Sequence, residues 1–166
     1  MIKDRSKTLT IVLCGVFTAL IAVCSWISIP GEVPFTLQTF AVFVTVGLLG
    51  AKAGLMSVIA YILLGACGVP VFAGFSGGLG YLFGTSGGYI IGFVFLALVM
   101  WGFEKLPYAK KFPMLILSMI AGLAVCYLFG TAWYMVVYTR NTGAVGLGTV
   151  LGWCVIPFII PDLIKI

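Results

Sequence analysis

Histidine does not occur among the 166 residues of this chain, and aspartate and glutamate together number only four. Without histidine the chain lacks the commonest general base, proton relay and metal ligand of proteins. No G-x-x-x-x-G-K-[ST] motif is present either, so we expect no P-loop nucleotide site. These absences argue against an enzyme, and any ATP-driven process would need separate ATPase partners.

Charged residues of either sign are also scarce, at 8% of the chain, whereas 63% of the residues are hydrophobic. This balance predicts a single all-α integral membrane domain over residues 1–166. The net charge of +5 does not indicate nucleic-acid binding, because the basic residues lie in short connectors between apolar runs. Five cysteines lie in apolar runs without a C-x-x-C pair, so we expect them to be small buried side chains.

The apolar runs predict the membrane segments, since about 20 residues cross a hydrocarbon core of about 30 Å. The positive-inside rule places the basic N-terminus, residues 1–8, and the lysine-rich connector 104–111 in the cytoplasm. The predicted spans are 9–29, 35–50, 54–68, 86–103 and 112–138, followed by a short helix at 144–160. Residues 139–143 are expected to form an outer loop.

The C-terminal tail is interrupted by Pro157 and Pro161. Its length permits an ordinary sixth span over residues 144–166. However, Pro161 followed by Asp162 is typical of a helix start, where free N–H groups favour an acidic side chain. We therefore expect a new helix to begin at Asp162, and the last helix, residues 162–166, to be truncated.

Residues 69–92 are rich in glycine and contain no charged side chain. Up to about Gly84 this composition predicts a folded loop whose free backbone N–H groups could surround a small ligand. Glycines at 80, 84, 88 and 92 also recur every four residues, a spacing typical of close helix packing. Ligand contact and helix packing remain open for Gly88 and Gly92.

Polar side chains occur at two further places in the apolar sequence. Thr36, Gln38 and Thr39 begin the second span, as interfacial caps or ligand contacts; an unpaired buried Gln38 amide would be costly. Asp162 and Lys165 are three residues apart and share a helix face. They suit a structural ion pair, a simple cytoplasmic helix end, or a donor–acceptor pair for a ligand such as a cyclic urea.

Small residues recur at a spacing of four in the first span, with Gly15 before Ala19 and Thr18 before Ala22. Such a face lets another helix approach closely. The partner could be a helix of this same bundle or one of another subunit.

Four segments resemble the signature sequences of the BioY family, the biotin-binding S-components of energy-coupling-factor (ECF) vitamin transporters. They are VPFTLQTF (33–40), GVPVFAGFSGGLGYLFGTSGGYIIGF (68–93), FGTAW (129–133) and IPFIIPDLIK (156–165). The resemblance runs in order from about Thr10 to the end. Two departures are that the family usually has Pro-Gly-Asp where this chain has Ile160-Pro161-Asp162, and that it continues for another helix beyond the Asp-x-x-Lys motif.

The resemblance implies a six-helix S-component bundle in a prokaryotic cell membrane, with its N-terminus cytoplasmic and one biotin near the outer face. It implies no cofactor, and as partners biotin, membrane lipid, a transmembrane coupling subunit and two ATPase subunits, with no nucleic acid. The implied substrate contacts are Asp162 and Lys165 (to the ureido ring), Gly74, Ser76, Gly77, Gly78, Gly80, Tyr81, Tyr89, Thr36 and Gln38. The implied docking residues are Gly15, Ala19 and Ala22.

Two alternatives of the same general kind remain. One is an S-component for a different vitamin. The other is a secondary carrier that works alone, although Asp162, Glu104 and Glu32 are few and peripheral for a proton relay.

Overall fold

A computed structural model of the chain describes residues 6–106 and 112–166. The predicted positions of the extreme N-terminus and of the lysines in the 107–111 connector therefore lie outside the described residues. Eight α-helices are formed by the described parts: α1 (Lys7–Trp26), α2 (Gln38–Leu49), α3 (Ala51–Ala66), α4 (Leu79–Leu82), α5 (Gly87–Glu104), α6 (Phe112–Thr142), α7 (Leu147–Cys154) and α8 (Ile156–Lys165).

The predicted all-helical membrane class is confirmed. The helices α1, α5 and α6, and the pair α7–α8, are each long and apolar enough to cross a membrane. The helices α2 and α3 have 12 and 16 residues and are shorter than a typical span, as their sequences predict. A single residue, Gly50, separates them with φ +86°, a left-handed conformation that glycine adopts without steric cost.

The helices α5 and α6 pack together most extensively, and glycines on both of them permit the close approach. A Cβ on Gly88 would lie 2.3 Å from Cβ of Trp133, and one on Gly92 would lie 2.8 Å from Sγ of Cys126. From the opposite side, a Cβ on Gly130 would lie 2.3 Å from the Tyr89 ring. The packing interpretation of Gly88 and Gly92 is therefore supported, since neither position has room for a side chain.

A short hairpin follows α1 and was not predicted from the sequence. Strands β1 (Ser28–Ile29) and β2 (Phe35–Thr36) pair antiparallel, with Ser28 opposite Thr36. The residues between them include Pro30 and Pro34, which cannot donate backbone hydrogen bonds. The pairing of these two-residue strands folds the proline-containing loop back toward the end of the bundle. Because β2 occupies Phe35–Thr36, α2 begins at Gln38 and not at the predicted residue 35.

In the C-terminal tail, the prediction that a new helix starts at Asp162 is wrong. The helix α7 ends at Cys154, the backbone breaks at Val155 (φ −126°, ψ −56°), and α8 begins at Ile156. Pro157 occupies the first turn of α8, where a missing N–H does no harm. Asp162 thus lies inside α8, and the expected continuous helix over 144–160 is two helices.

Two smaller expectations also need correction. The helix α6 continues to Thr142, so most of the predicted 139–143 loop is helical; the turn comes at Gly143 (φ +113°). Among the cysteines, Cys24, Cys126 and Cys154 are buried as expected, but Cys67 is exposed because it ends α3 at the start of the loop.

The α5–α6 contact can be tested with two glycine substitutions in the same helix. Gly88→Ala should lower the thermal unfolding midpoint in detergent, because overpacking costs about 1–3 kcal/mol. Gly102→Ala is the matched control, since a Cβ there meets nothing within 4 Å. Equal midpoints for the two variants would contradict the close packing at Gly88.

Candidate functional site

A partly open cavity of about 60 Å³ lies at the end of the bundle where α1 ends and α5 begins. The hairpin and the start of α2 form one side, the glycine-rich loop a second, and α5, α6 and α8 the remainder. Its walls are mostly apolar and aromatic, with a few polar groups, as is usual for small-molecule sites. The lining residues are Val33, Pro34, Thr36, Gln38, Thr39, Ala73, Tyr81, Ser86, Tyr89, Ile90, Phe93, Leu123, Cys126, Tyr127, Cys154, Phe158 and Asp162.

Asp162 is the buried charge of this cavity, with 2% of its surface exposed. Its Oδ1 accepts a hydrogen bond from Lys165 Nζ at 2.7 Å, one helical turn further along α8. Its Oδ2 accepts from the Tyr127 hydroxyl of α6 at 2.5 Å. A buried carboxylate is tolerated only when it is paired and hydrogen-bonded, so these two contacts permit its location.

Lys165 also connects the last helix to the hairpin. Its Nζ donates to the backbone oxygen of Thr36 at 2.8 Å and lies 4.4 Å from the centre of the Phe35 ring. The ammonium group therefore has a carboxylate, a carbonyl and an aromatic face around it. This arrangement fixes the hairpin against α8 on one side of the cavity.

Gln38 lines the same cavity at the first turn of α2 and is 4% exposed. Its Nε2 is buried without a hydrogen-bond partner among the described residues. A buried amide donor without a partner costs free energy, so the position favours a bound group that can accept its hydrogen bond.

The glycine-rich loop is held onto the bundle by hydrogen bonds to its backbone. The hydroxyls of Ser25 and Tyr61 both donate to the backbone oxygen of Val71, at 2.5 and 3.0 Å. The Trp26 indole donates to Pro70 oxygen at 2.9 Å. These anchors come from α1 and α3, so the loop has a defined position beside the cavity.

Phe72 inserts next to these anchors and is fully buried. Its ring lies directly over Gly65 of α3, where an added Cβ would come within 2.0 Å of it. The ring is stacked on Tyr81, with centroids 5.3 Å apart. Tyr81 thereby faces the cavity, and burial raises the pKa of its phenol, which remains a neutral hydroxyl at ordinary pH.

The structure brings Thr36, Gln38, Tyr81, Tyr89 and Asp162 to one cavity, as the sequence suggested. The small residues of the loop do not border it. Gly74 (φ +66°) and Gly78 (φ +91°) provide left-handed turns, and a Cβ on Gly77 would lie 2.5 Å from Val69 oxygen. The loop residues that reach the cavity are Ala73 and Tyr81, one on each side of the turn that holds Ser76 and Gly80.

Two tyrosines of α6 contribute contacts that the sequence interpretation missed. Tyr127 bonds Asp162, and the buried Tyr134 donates to Oε2 of Glu32 in the hairpin loop at 3.0 Å. Their only sequence signal was a hydroxyl in a long apolar helix, and an aromatic belt near the membrane surface explains such a tyrosine equally well.

The small residues of α1 divide between two faces. Gly15 and Ala19 are exposed, and a Cβ on Gly15 would meet nothing within 4 Å. Ala22 is 6% exposed and lies in the core, and the Thr18 hydroxyl donates to Ser57 oxygen at 3.1 Å. Ala22 therefore belongs to internal packing, because it sits on the Thr18 face of α1; only Gly15 and Ala19 are on an outward surface.

The family model of the BioY family matches residues 1–166. The chain belongs to the BioY family. Among similar BioY proteins, the biotin transporter BioY of Thermotoga maritima is 41% identical over 157 residues, covering 94% of this chain and 88% of that protein. The probable biotin transporter BioY of Pyrococcus horikoshii is 40% identical over 161 residues, covering 96% of this chain and 90% of that protein.

The BioY fold is matched in three dimensions as well. The crystal structure of the S-component for biotin from an ECF-type ABC transporter superposes with a TM-score of 0.82 at 26% identity, over 98% of this chain and 88% of that one. The all-helical S-component class inferred from the sequence is thereby confirmed. This BioY chain is a transporter-family protein and not an enzyme.

The Tyr127–Asp162 contact can be tested in this BioY chain by unfolding alone. Tyr127→Phe leaves one buried Asp162 oxygen without its donor, which should cost about 1.5–3 kcal/mol of stability because the acceptor is charged. Tyr138→Phe is the control, since that hydroxyl makes no hydrogen bond within the described ranges. In a double-mutant cycle the loss should disappear in an Asp162→Ala background, which has no side-chain acceptor for the hydroxyl; additive losses would show that Tyr127 acts elsewhere.

Proposed function

We propose that this protein captures biotin with high affinity as the substrate-binding S-component of an ECF-type transporter in a prokaryotic cell membrane. The observation that carries the proposal is the buried Asp162 at the wall of a cavity that is lined by apolar, aromatic and a few polar groups. Similar proteins named as biotin transporters supply the identity of the ligand.

The chemistry of the cavity suits biotin. Its ureido ring offers two N–H donors and one carbonyl acceptor, while the remainder is a thioether ring, an alkyl chain and a carboxylate. Asp162 can accept an N–H, and the unpartnered Gln38 amide can donate to a carbonyl. The aromatic and apolar walls, including Tyr81, Tyr89 and Phe93, suit the thioether ring and the alkyl chain.

The two loops at this end of the bundle suit a covering role. The hairpin supplies Thr36 to the cavity wall, and the glycine-rich loop supplies Tyr81. We place Gly74, Ser76, Gly77, Gly78 and Gly80 in a supporting role: they let the loop turn so that Ala73 and Tyr81 face the substrate. The predicted direct contacts of these small residues with biotin remain proposals.

The proposed partners come from the BioY family and its ECF-type relative: two ATPase subunits, joined to this chain through a transmembrane coupling subunit. The sequence has no P-loop motif of its own, which agrees with separate ATPase subunits. Gly15 and Ala19 provide an outward small-residue face for that subunit, whereas the buried Ala22 would act only by supporting α1. The N-terminus would be cytoplasmic and the cavity would open to the outside.

Isothermal titration of biotin into the detergent-solubilised chain tests the substrate, with thiamine as the comparison. Asp162→Asn and Lys165→Ala should each weaken biotin binding more than about tenfold, roughly 1.4 kcal/mol. Arg140→Gln removes an exposed charge away from the cavity and serves as the matched control. If both site variants bind biotin with wild-type affinity, the pair does not belong to the binding site. If thiamine binds and biotin does not, biotin is not the substrate.

The docking face is tested separately from binding. Gly15→Leu should leave biotin affinity unchanged, because its side chain points out of the bundle, and should abolish uptake by cells that express the whole transporter. Val12→Leu is a suitable control, since Val12 is exposed on α1 and already large. Normal uptake with Gly15→Leu would place the docking surface elsewhere.

A further inference from the structure

A second concavity lies at the other end of the bundle, away from the biotin cavity. It is an open groove of about 640 Å³ between the start of α1, the α2–α3 turn and the end of α5. Its lining residues are Lys7, Thr10, Ile11, Leu49, Gly50, Lys52, Ala53, Met56, Trp101, Glu104 and Lys105. The groove uses none of the residues assigned to substrate binding or to the α1 docking face.

Three lysines surround this groove: Lys7 in α1, Lys52 in α3 and Lys105 directly after α5. Lys7, Lys52 and Lys105 are all exposed, and none forms an ion pair with a residue in 6–106 or 112–166. The single carboxylate in the lining, Glu104, accepts a hydrogen bond from the Ala51 N–H at 2.9 Å, at the start of α3. The groove therefore presents more positive than negative charge, and its one carboxylate is already engaged.

The walls of the groove are apolar and lead onto the lateral surface of the bundle. Ile11 is 67% exposed and Met56 is 49% exposed, although both lie beside charged residues. Lys105 Nζ lies 5.0 Å from the centre of the Trp101 ring, which places an aromatic and a cation together at a helix end. Tryptophan and lysine in this arrangement are typical of the membrane interface.

A ligand that fits both features has an anionic head and apolar chains. Basic pockets between membrane helices on the cytoplasmic side favour acidic lipid headgroups, because the lysines attract the phosphate while the tails follow the apolar surface. We propose that this groove binds one anionic phospholipid, with its phosphate among Lys7, Lys52 and Lys105 and an acyl chain along Ile11 and Met56. A soluble protein segment would not need the exposed apolar exit toward the hydrocarbon core.

The test compares lipid effects on thermal unfolding of the purified full chain in detergent. Phosphatidylglycerol should raise the midpoint more than the same mole fraction of phosphatidylcholine, and inorganic phosphate alone should not reproduce the increment. The triple glutamine variant carries Lys7→Gln, Lys52→Gln and Lys105→Gln. Its apparent affinity for phosphatidylglycerol should be lower, by a factor on the order of ten. The matched control Arg140→Gln should retain the full increment, and so should the charge-preserving triple arginine variant.

Several outcomes would overturn the proposal. An equal phosphatidylglycerol increment in the triple glutamine variant and the wild type would exclude the groove as the lipid site. An equal shift with inorganic phosphate would indicate a soluble-anion site instead. A triple variant that keeps the lipid increment but no longer co-purifies with the transporter's other subunits would identify a protein interface. If the triple glutamine variant fails to fold, the single variants Lys52→Gln and Lys105→Gln replace it. Each should reduce the rise in unfolding midpoint caused by phosphatidylglycerol, and an unchanged rise in both would refute the proposed lipid site.

Discussion

The fold at the cavity end of the bundle depends on the free-energy cost of placing a charge among apolar helices. Asp162 and Lys165 offset that cost only together and with their further partners, the Tyr127 hydroxyl and the Thr36 carbonyl. Because those partners belong to α6 and to the hairpin, the pair determines how α8, α6 and the first loop meet. The contacts that satisfy these two buried charges therefore also form one wall of the cavity.

The opposite requirement, close apolar packing, determines the rest of the bundle. Glycines on α5 and α6 bring the two helices together and leave the larger side chains to fill the remaining space. At the cavity end of the bundle, the Phe72 ring packs over Gly65 and brings an irregular loop into the apolar interior. The backbone oxygen of the buried Val71 in this loop accepts hydrogen bonds from two hydroxyls, which satisfy it away from water.

Much of this architecture could be predicted from the sequence, because its signals are local. Hydropathy predicted α1, α2, α3, α5 and α6 to within a few residues at each end, and charge scarcity singled out Asp162 and Lys165. The tail was predicted incorrectly because a proline suits the first turn of a helix and the tail has two prolines: Pro157 occupies that turn, whereas Pro161 lies inside α8. The hydrogen bond from Tyr127 to Asp162 and the burial of Ala22 depend on which helices pack against each other. The sequence of one segment alone does not determine that packing.

The bond from Lys165 to Thr36 joins residues 129 positions apart in the chain. Closing a loop of this length costs more chain entropy than forming a contact within one helix or one turn. We therefore expect this wall of the cavity to form late in folding, after the local helices, because its contacts join distant segments of the described chain.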